Sequence, residues 1–158
     1  MSKVVIIMGS KADLEWASQI SKVLQSFEIE NISRIASVPK VPLKCYNLIK
    51  EYEKENVVFI TIAGMSNALS GFTDAQTHCP VIACPPYSDK FGGADLYSSI
   101  RMPSGVAPLT ILSPENAALA AAKILGLSNP EIRKRIIDFQ DKKRKELEEA
   151  DNNLVNAK

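Results

Sequence analysis

The sequence predicts an α/β fold of three layers: a central parallel sheet covered by helices on both faces, with a long helix at the C-terminal end. Three observations predict it. Short runs rich in Val and Ile recur along the chain, most of them closed by Gly or Pro. Longer segments between them carry apolar residues three and four positions apart. The two kinds of segment alternate throughout, as strands joined by crossover helices do.

The elements follow in order. Lys3–Met8 is an apolar run ended by Gly9 and reads as a buried strand. Asp13–Phe27 puts Leu14, Ala17, Ile20, Val23, Leu24 and Phe27 on one helical face. Ile29–Ala36 is a second strand. Pro42–Lys54 is a second helix, with Pro42 in the first turn and Leu43, Tyr46, Ile49 and Tyr52 as its stripe. Val57–Ala63 is a third strand, closed by Gly64. Ser66–Gln76 is a helix capped by Ser66 or Asn67. Val81–Cys84 is a short fourth strand stopped by Pro85-Pro86. Residues 87–105 hold three glycines and read as a functional loop with one short helix near Leu96–Ile100. Pro108–Leu112 is the fifth strand, and Pro114–Leu125 an alanine-rich helix capped by Ser113. Asn129–Ala150 is a long charged helix, and the residues after it are expected to fray.

Composition narrows the function. The 158 residues suit one domain, 1–158. A net charge of +1 and an aromatic content of 6% give no reason to expect nucleic acid or an anionic membrane as partner. No apolar stretch reaches membrane-spanning length, and the apolar run before Gly9 is too short for a signal peptide. Cys45, Cys79 and Cys84 are odd in number and lack metal-ligand spacing, so no metal site is expected. They read as reduced, buried thiols of a cytoplasmic protein.

Right-handed crossovers put every strand-to-helix loop on one edge of such a sheet, where ligands bind. Five loops are therefore candidates. In Met8-Gly9-Ser10-Lys11-Ala12-Asp13, Gly9 permits close backbone approach, Ser10 offers a hydroxyl, and Asp13 either caps the helix or accepts from ribose hydroxyls. The spacing is neither Gly-x-Gly-x-x-Gly nor a P-loop, which argues against dinucleotides and ATP. In the second loop, residues 35–42, Ser37 and Lys40 suit a phosphate, and two prolines stiffen the turn. The third, residues 63–71, offers small residues with Ser66 and Asn67 as hydrogen-bonding groups. Residues 84–89 and 98–105 complete the set.

Together these loops resemble the aminoimidazole ribonucleotide carboxylases of purine biosynthesis, over about residues 3 to 125. Ser66-Asn67-Ala68-Leu69-Ser70-Gly71 and Cys84-Pro85-Pro86 look like the class II branch, which uses CO2 directly. Class I members, the N5-carboxyaminoimidazole ribonucleotide mutases, typically have a histidine where Ala68 falls. The resemblance implies a flavodoxin-like sandwich assembled as a homo-oligomer, tetramer or octamer, without metal or organic cofactor. It implies aminoimidazole ribonucleotide and CO2 as substrates, with carboxylation at ring carbon C4. By the same likeness Gly9, Ser10 and Asp13 contact the phosphoribosyl part, and Ser37 and Lys40 hold the phosphate. Gly64, Ser66, Asn67 and Ala68 line the base pocket, and Ser104 comes from a neighbouring subunit.

Three positions depart from the family pattern. Pro39 stands where the second loop usually carries histidine, Ala12 where the first carries serine, and Met65 where class II carries arginine. A group titrating near neutrality suits removal of the C4 proton, and proline cannot supply one. Lys40 is the nearest substitute base, although a lysine paired with phosphate stays protonated. The single histidine, His78, lies outside the matching motif. A diverged member that acts on, or only binds, another phosphoribosyl compound is the alternative. A flavin-binding protein of similar fold would want aromatic residues flanking the ring, and Tyr87 and Trp16 are not so placed.

Overall fold

The computed structural model describes residues 2–157, so Met1 and Lys158 lie outside the described residues. Five parallel strands form one sheet in the order β2-β1-β3-β4-β5. They are β1 (Ser2–Met8), β2 (Glu30–Ile35), β3 (Asn56–Ile62), β4 (Val81–Ala83) and β5 (Leu109–Thr110). The helices are α1 (Leu14–Ser26), α2 (Pro42–Tyr52), α3 (Ala68–Gln76), α4 (Tyr97–Ile100), α5 (Pro114–Gly126) and α6 (Pro130–Asn156). This is the three-layer, flavodoxin-like arrangement expected from the alternating pattern.

Strand β1 shows why the sheet is sandwiched. Successive side chains of a strand point to opposite faces. Val4, Ile6 and Met8 accordingly join a core with Ala17, Ile20 and Leu24 of α1 and Ala117, Ala118, Ala121 and Ala122 of α5. Val5 and Ile7 join a second core with Cys45, Leu48 and Ile49 of α2 and Leu69 of α3. Both sets are fully buried, which requires the continuous apolar run. The alanines of α5 bring that helix close to β3 and α1.

Several boundaries shift from the expected ones. A single turn of 3-10 helix, Lys11–Asp13, precedes α1, because Ser10 and Asp13 cap that turn rather than α1 itself. β5 shrinks to two residues: the Ile111 amide still donates to the Ala83 carbonyl at 2.9 Å, and the chain then turns to the cap of α5. The last residues do not fray: α6 continues to Asn156. Pairs three and four apart sustain it, Lys134–Asp138 at 2.6 Å, Lys143–Glu146 at 2.9 Å, and Arg144 with Asp141. Ile132, Ile136 and Phe139 dock the first half on α5 and α1, whereas residues 141–157 are exposed throughout. No helix among the described residues is long and apolar enough to cross a membrane.

Candidate active site

Strand order places the site. β1 leads into α1 on one face, and β3 leads into α3 on the other. Between the carboxyl ends of these two neighbours the winding reverses, and such a point opens a crevice. β1 and β3 are paired to their last residues, Met8 opposite Ile62, so their loops start at the same level. The Gly9 amide donates to the Ile62 carbonyl at 2.9 Å and forms the last rung. A cleft of about 620 Å³ opens there, within the usual range for small-molecule sites.

One wall is the first loop. Ser10 Oγ accepts the Ala12 amide at 3.0 Å, and Asp13 Oδ2 accepts the Ser10 amide at 3.1 Å. The two side chains thus lock each other in a capping box while both line the cleft. Partial burial pushes the Asp13 carboxyl up from its ordinary value, against hydrogen bonds from Ser10 that pull it down. A Cβ on Gly9 would meet protein atoms only at ordinary contact distance, 3.7 Å. Any close approach that Gly9 serves is therefore toward a ligand.

The second wall is the turn at 37–40, docked by the Ala36 amide on the Met8 carbonyl at 2.9 Å. The Ser37 carbonyl accepts the amides of Lys40, at 3.2 Å, and Val41, at 2.7 Å. This tight turn brings Ser37, Val38, Pro39 and Lys40 to the rim, with Pro39 and Lys40 exposed. Pro39 faces the cleft and brings no titratable group to it.

The floor is the third loop. Gly64, Ser66 and Ala68 line the cleft, and around Gly64 no protein atom would crowd a Cβ within 4 Å. Asn67 does not line it, contrary to expectation. Its side chain is buried, with Oδ1 accepting the Ser70 amide at 3.1 Å and Nδ2 donating to Ser70 Oγ at 2.6 Å and Ser99 Oγ at 2.9 Å. Ser70 Oγ in turn bonds Thr61 Oγ1 at 2.7 Å. Asn67 caps α3 and anchors the loop from below. Met65 adopts a left-handed conformation (φ 58°), a strained one for a side chain of this type.

A fourth segment roofs the cleft. Pro86, Tyr87, Ser88 and Asp89 were expected there; Lys90 and Asp95 were not. After Lys90 three residues in succession, Phe91, Gly92 and Gly93, take positive φ and turn the chain back over the floor. The Gly92-Gly93 pair was the sequence signal for that return. Ser104 lies outside the cleft, exposed on the loop after α4.

His78 is removed from the site. It precedes β4, whose first residue, Val81, pairs with Phe59. At about 3.3 Å per residue, the chain from His78 to Cys84 puts the imidazole roughly 20 Å from the cleft. It is exposed at the opposite edge, near Glu53, whose carboxyl Lys50 holds below its usual range by a hydrogen bond. The cysteines are buried, and burial pushes the Cys84 thiol up to about 11. Its carbonyl accepts Trp16 Nε1 at 3.2 Å, which packs the indole away from the cleft mouth.

The AIR carboxylase family model matches residues 3–146, almost the whole chain. The chain belongs to the AIR carboxylase family. The phosphoribosylaminoimidazole carboxylase of Archaeoglobus fulgidus is 59% identical over 152 residues, 96% of this chain and 84% of that protein. The protein of the same name from Treponema denticola is 44% identical, with 96% of each chain covered. The crystal structure of Treponema denticola PurE superposes with a TM-score of 0.95 over 98% of this chain and 99% of that one. In this AIR carboxylase family member a proline, Pro39, stands on the lining of the cleft.

The Asp13 environment makes a prediction. Its folded-state value lies above the ordinary 3.8, so the folded protein holds the proton more tightly than the unfolded chain. This contribution to stability is full below 3.8 and falls away as pH rises through the raised value. Carboxyl chemical shifts should titrate above 3.8 at Asp13, and Asp13→Asn should flatten the stability–pH curve in that window.

Proposed function

We propose that this chain binds aminoimidazole ribonucleotide in the β1–β3 cleft and carboxylates ring carbon C4 with CO2. The observation that carries this reading is family membership over residues 3–146 together with convergence of the first three loops on one cleft. Ser37 and Lys40 stand on one wall and Ser10 and Asp13 on the other, a spacing that suits a phosphate on a cation and a ribose on a carboxylate. Gly64, Ser66 and Ala68 leave room for the base between them.

The ring's amino group makes C4 electron-rich, and CO2 is the electrophile. A C–C bond forms between C4 and the CO2 carbon, and the C4 proton then leaves to a base. No imidazole lines the cleft among the described residues. Lys40 is the cation next in sequence to position 39, but a lysine engaged with a phosphate makes a poor base, which leaves water as the acceptor. The reaction is therefore slow at this step, with binding intact. Pro39, Ala12 and Met65 on the cleft lining favour one second reading: a member that holds another phosphoribosyl compound without carboxylating it.

Assembly follows from the same reading. Ser104 is exposed and does not line its own cleft, and Tyr97, Ile100 and Leu109 expose apolar surface nearby in sequence. We infer a homo-oligomer, tetramer or octamer, of a single-domain cytoplasmic protein. Light scattering on a sizing column should give four or eight chains; a monomer would sink the assembly.

Two variants test binding and two assays test chemistry. Asp13→Ala and Ser37→Ala should each weaken nucleotide binding about tenfold, the loss of one good hydrogen bond. Unchanged affinity in both, read by calorimetry, removes the ligand assignment. Carboxylation and decarboxylation should both be measurable but slow in the native chain. Pro39→His should raise the rate by about 10²–10⁴-fold, the usual worth of a placed proton carrier. Nucleotide binding with no turnover in either protein would favour the second reading.

A further inference from the structure

The floor of the cleft lies beyond the backbone ladder of the sheet. The segment Met65–Asn67 follows β3 after the last rung, and Met65 sits in the strained left-handed region. Three backbone groups that flank Ser66 take their partners from the side chains of one distant segment. The Met65 amide donates to Asp95 Oδ2 at 3.0 Å. The Met65 carbonyl accepts from Ser98 Oγ at 3.0 Å, and the Asn67 amide donates to that same hydroxyl at 2.9 Å. Ser98 Oγ also lies 2.7 Å from the Asp95 carbonyl, so its single proton is shared between two acceptors.

We propose that Asp95 and Ser98 are positioning residues, a two-residue clamp that fixes the Met65–Asn67 floor by its backbone and so sets the place of Ser66 for the base. This rests on the function proposed above for what the cleft holds, but the clamp is a property of the free protein. The arrangement is graded from below upward. Ser99, next in sequence to Ser98, takes the buried Asn67 amide, and its own carbonyl accepts Thr110 Oγ1 at 3.1 Å, which ties the segment to β5. Asp95 and Ser98 then reach the two flanks of Ser66 from a segment anchored by these bonds. Because the Met65 turn is strained, it persists only while its amide is held.

The role of Asp95 is to accept one amide proton, so the acceptor matters and the charge does not. Asp95→Asn retains an oxygen in that place; Asp95→Ala does not. Two measurements decide the matter: amide hydrogen exchange in the unliganded protein, and calorimetric affinity for aminoimidazole ribonucleotide. Asp95→Ala should speed exchange at Met65, and Ser98→Ala at Asn67, by about tenfold, as loss of one hydrogen bond allows. Exchange at Ile60 and Ile82 in the sheet should not change. Both alanine variants should bind the nucleotide about tenfold more weakly, while Asp95→Asn stays near the native protein in both readings.

Native exchange at Met65 and Asn67 in the alanine variants overturns the clamp. So does equal acceleration at Ile60 and Ile82, which would mark general loosening. Faster local exchange with unchanged affinity overturns the positioning role, and an Asp95→Asn variant as weak as Asp95→Ala would make the charge, not the acceptor, the active feature. If the native protein fails to bind the nucleotide, the function proposed above fails, and the exchange rates alone still decide the clamp.

Discussion

The cleft depends on one constraint, the reversal of winding between β1 and β3. These strands are neighbours in full register, yet their chains leave the sheet toward opposite faces. The crevice exists because no helix can fill the space between two departing loops. Burial of alternating residues enforces the register. A slip of one residue would move Val4, Ile6 and Met8 from the α1–α5 core into the α2–α3 core and break the packing of both. The apolar content of one seven-residue strand therefore sets the level at which Gly9 and Ala63 leave the sheet, and with it the geometry of two walls.

Beneath the cleft the constraint becomes polar. Thr61, Ser70, Asn67 and Ser99 form a buried chain of hydrogen bonds in an otherwise apolar layer. Each group satisfies the next, so the chain tolerates burial only when complete. It ties α4 to β3 and the start of α3, two elements that also meet in the second apolar core. The network specifies where the floor lies relative to the roof, while the cores specify that there is a sheet at all.

Much of this was legible in the sequence. The strands could be read as apolar runs such as Val57–Ala63, which parallel strands buried on both faces leave, and α1 and α2 from apolar residues three and four apart. The first two walls were legible as well, since Gly9-Ser10 and Ser37-Val38-Pro39-Lys40 are local turns whose partners lie within a few residues. What escaped was non-local. Asn67 reads as a pocket residue until its partner Ser99, 32 positions away, takes its amide. Asp95 gave no signal because its partner is a backbone amide 30 residues earlier. Helix α6 ran past its expected end because pairs such as Lys143–Glu146 sustain it without a core to reveal it by periodicity.

The same division explains how position 39 can differ while the cleft survives. Ser10 and Asp13 are held by each other, the 37–41 turn by its own backbone, and Gly64–Ala68 by the segment at 95–99. None of these supports runs through the side chain of residue 39, which stands exposed at the rim. Proline suits a tight turn of fixed φ, so the wall's shape rests on the backbone, and the side chain at 39 offers no titratable group. The remaining imidazole cannot compensate. His78 precedes β4, and in a parallel sheet the residues before a strand emerge on the edge opposite to those that follow it. The hydrogen bonds that build the cleft are thus separate from the side chain at position 39, which can vary without disturbing them.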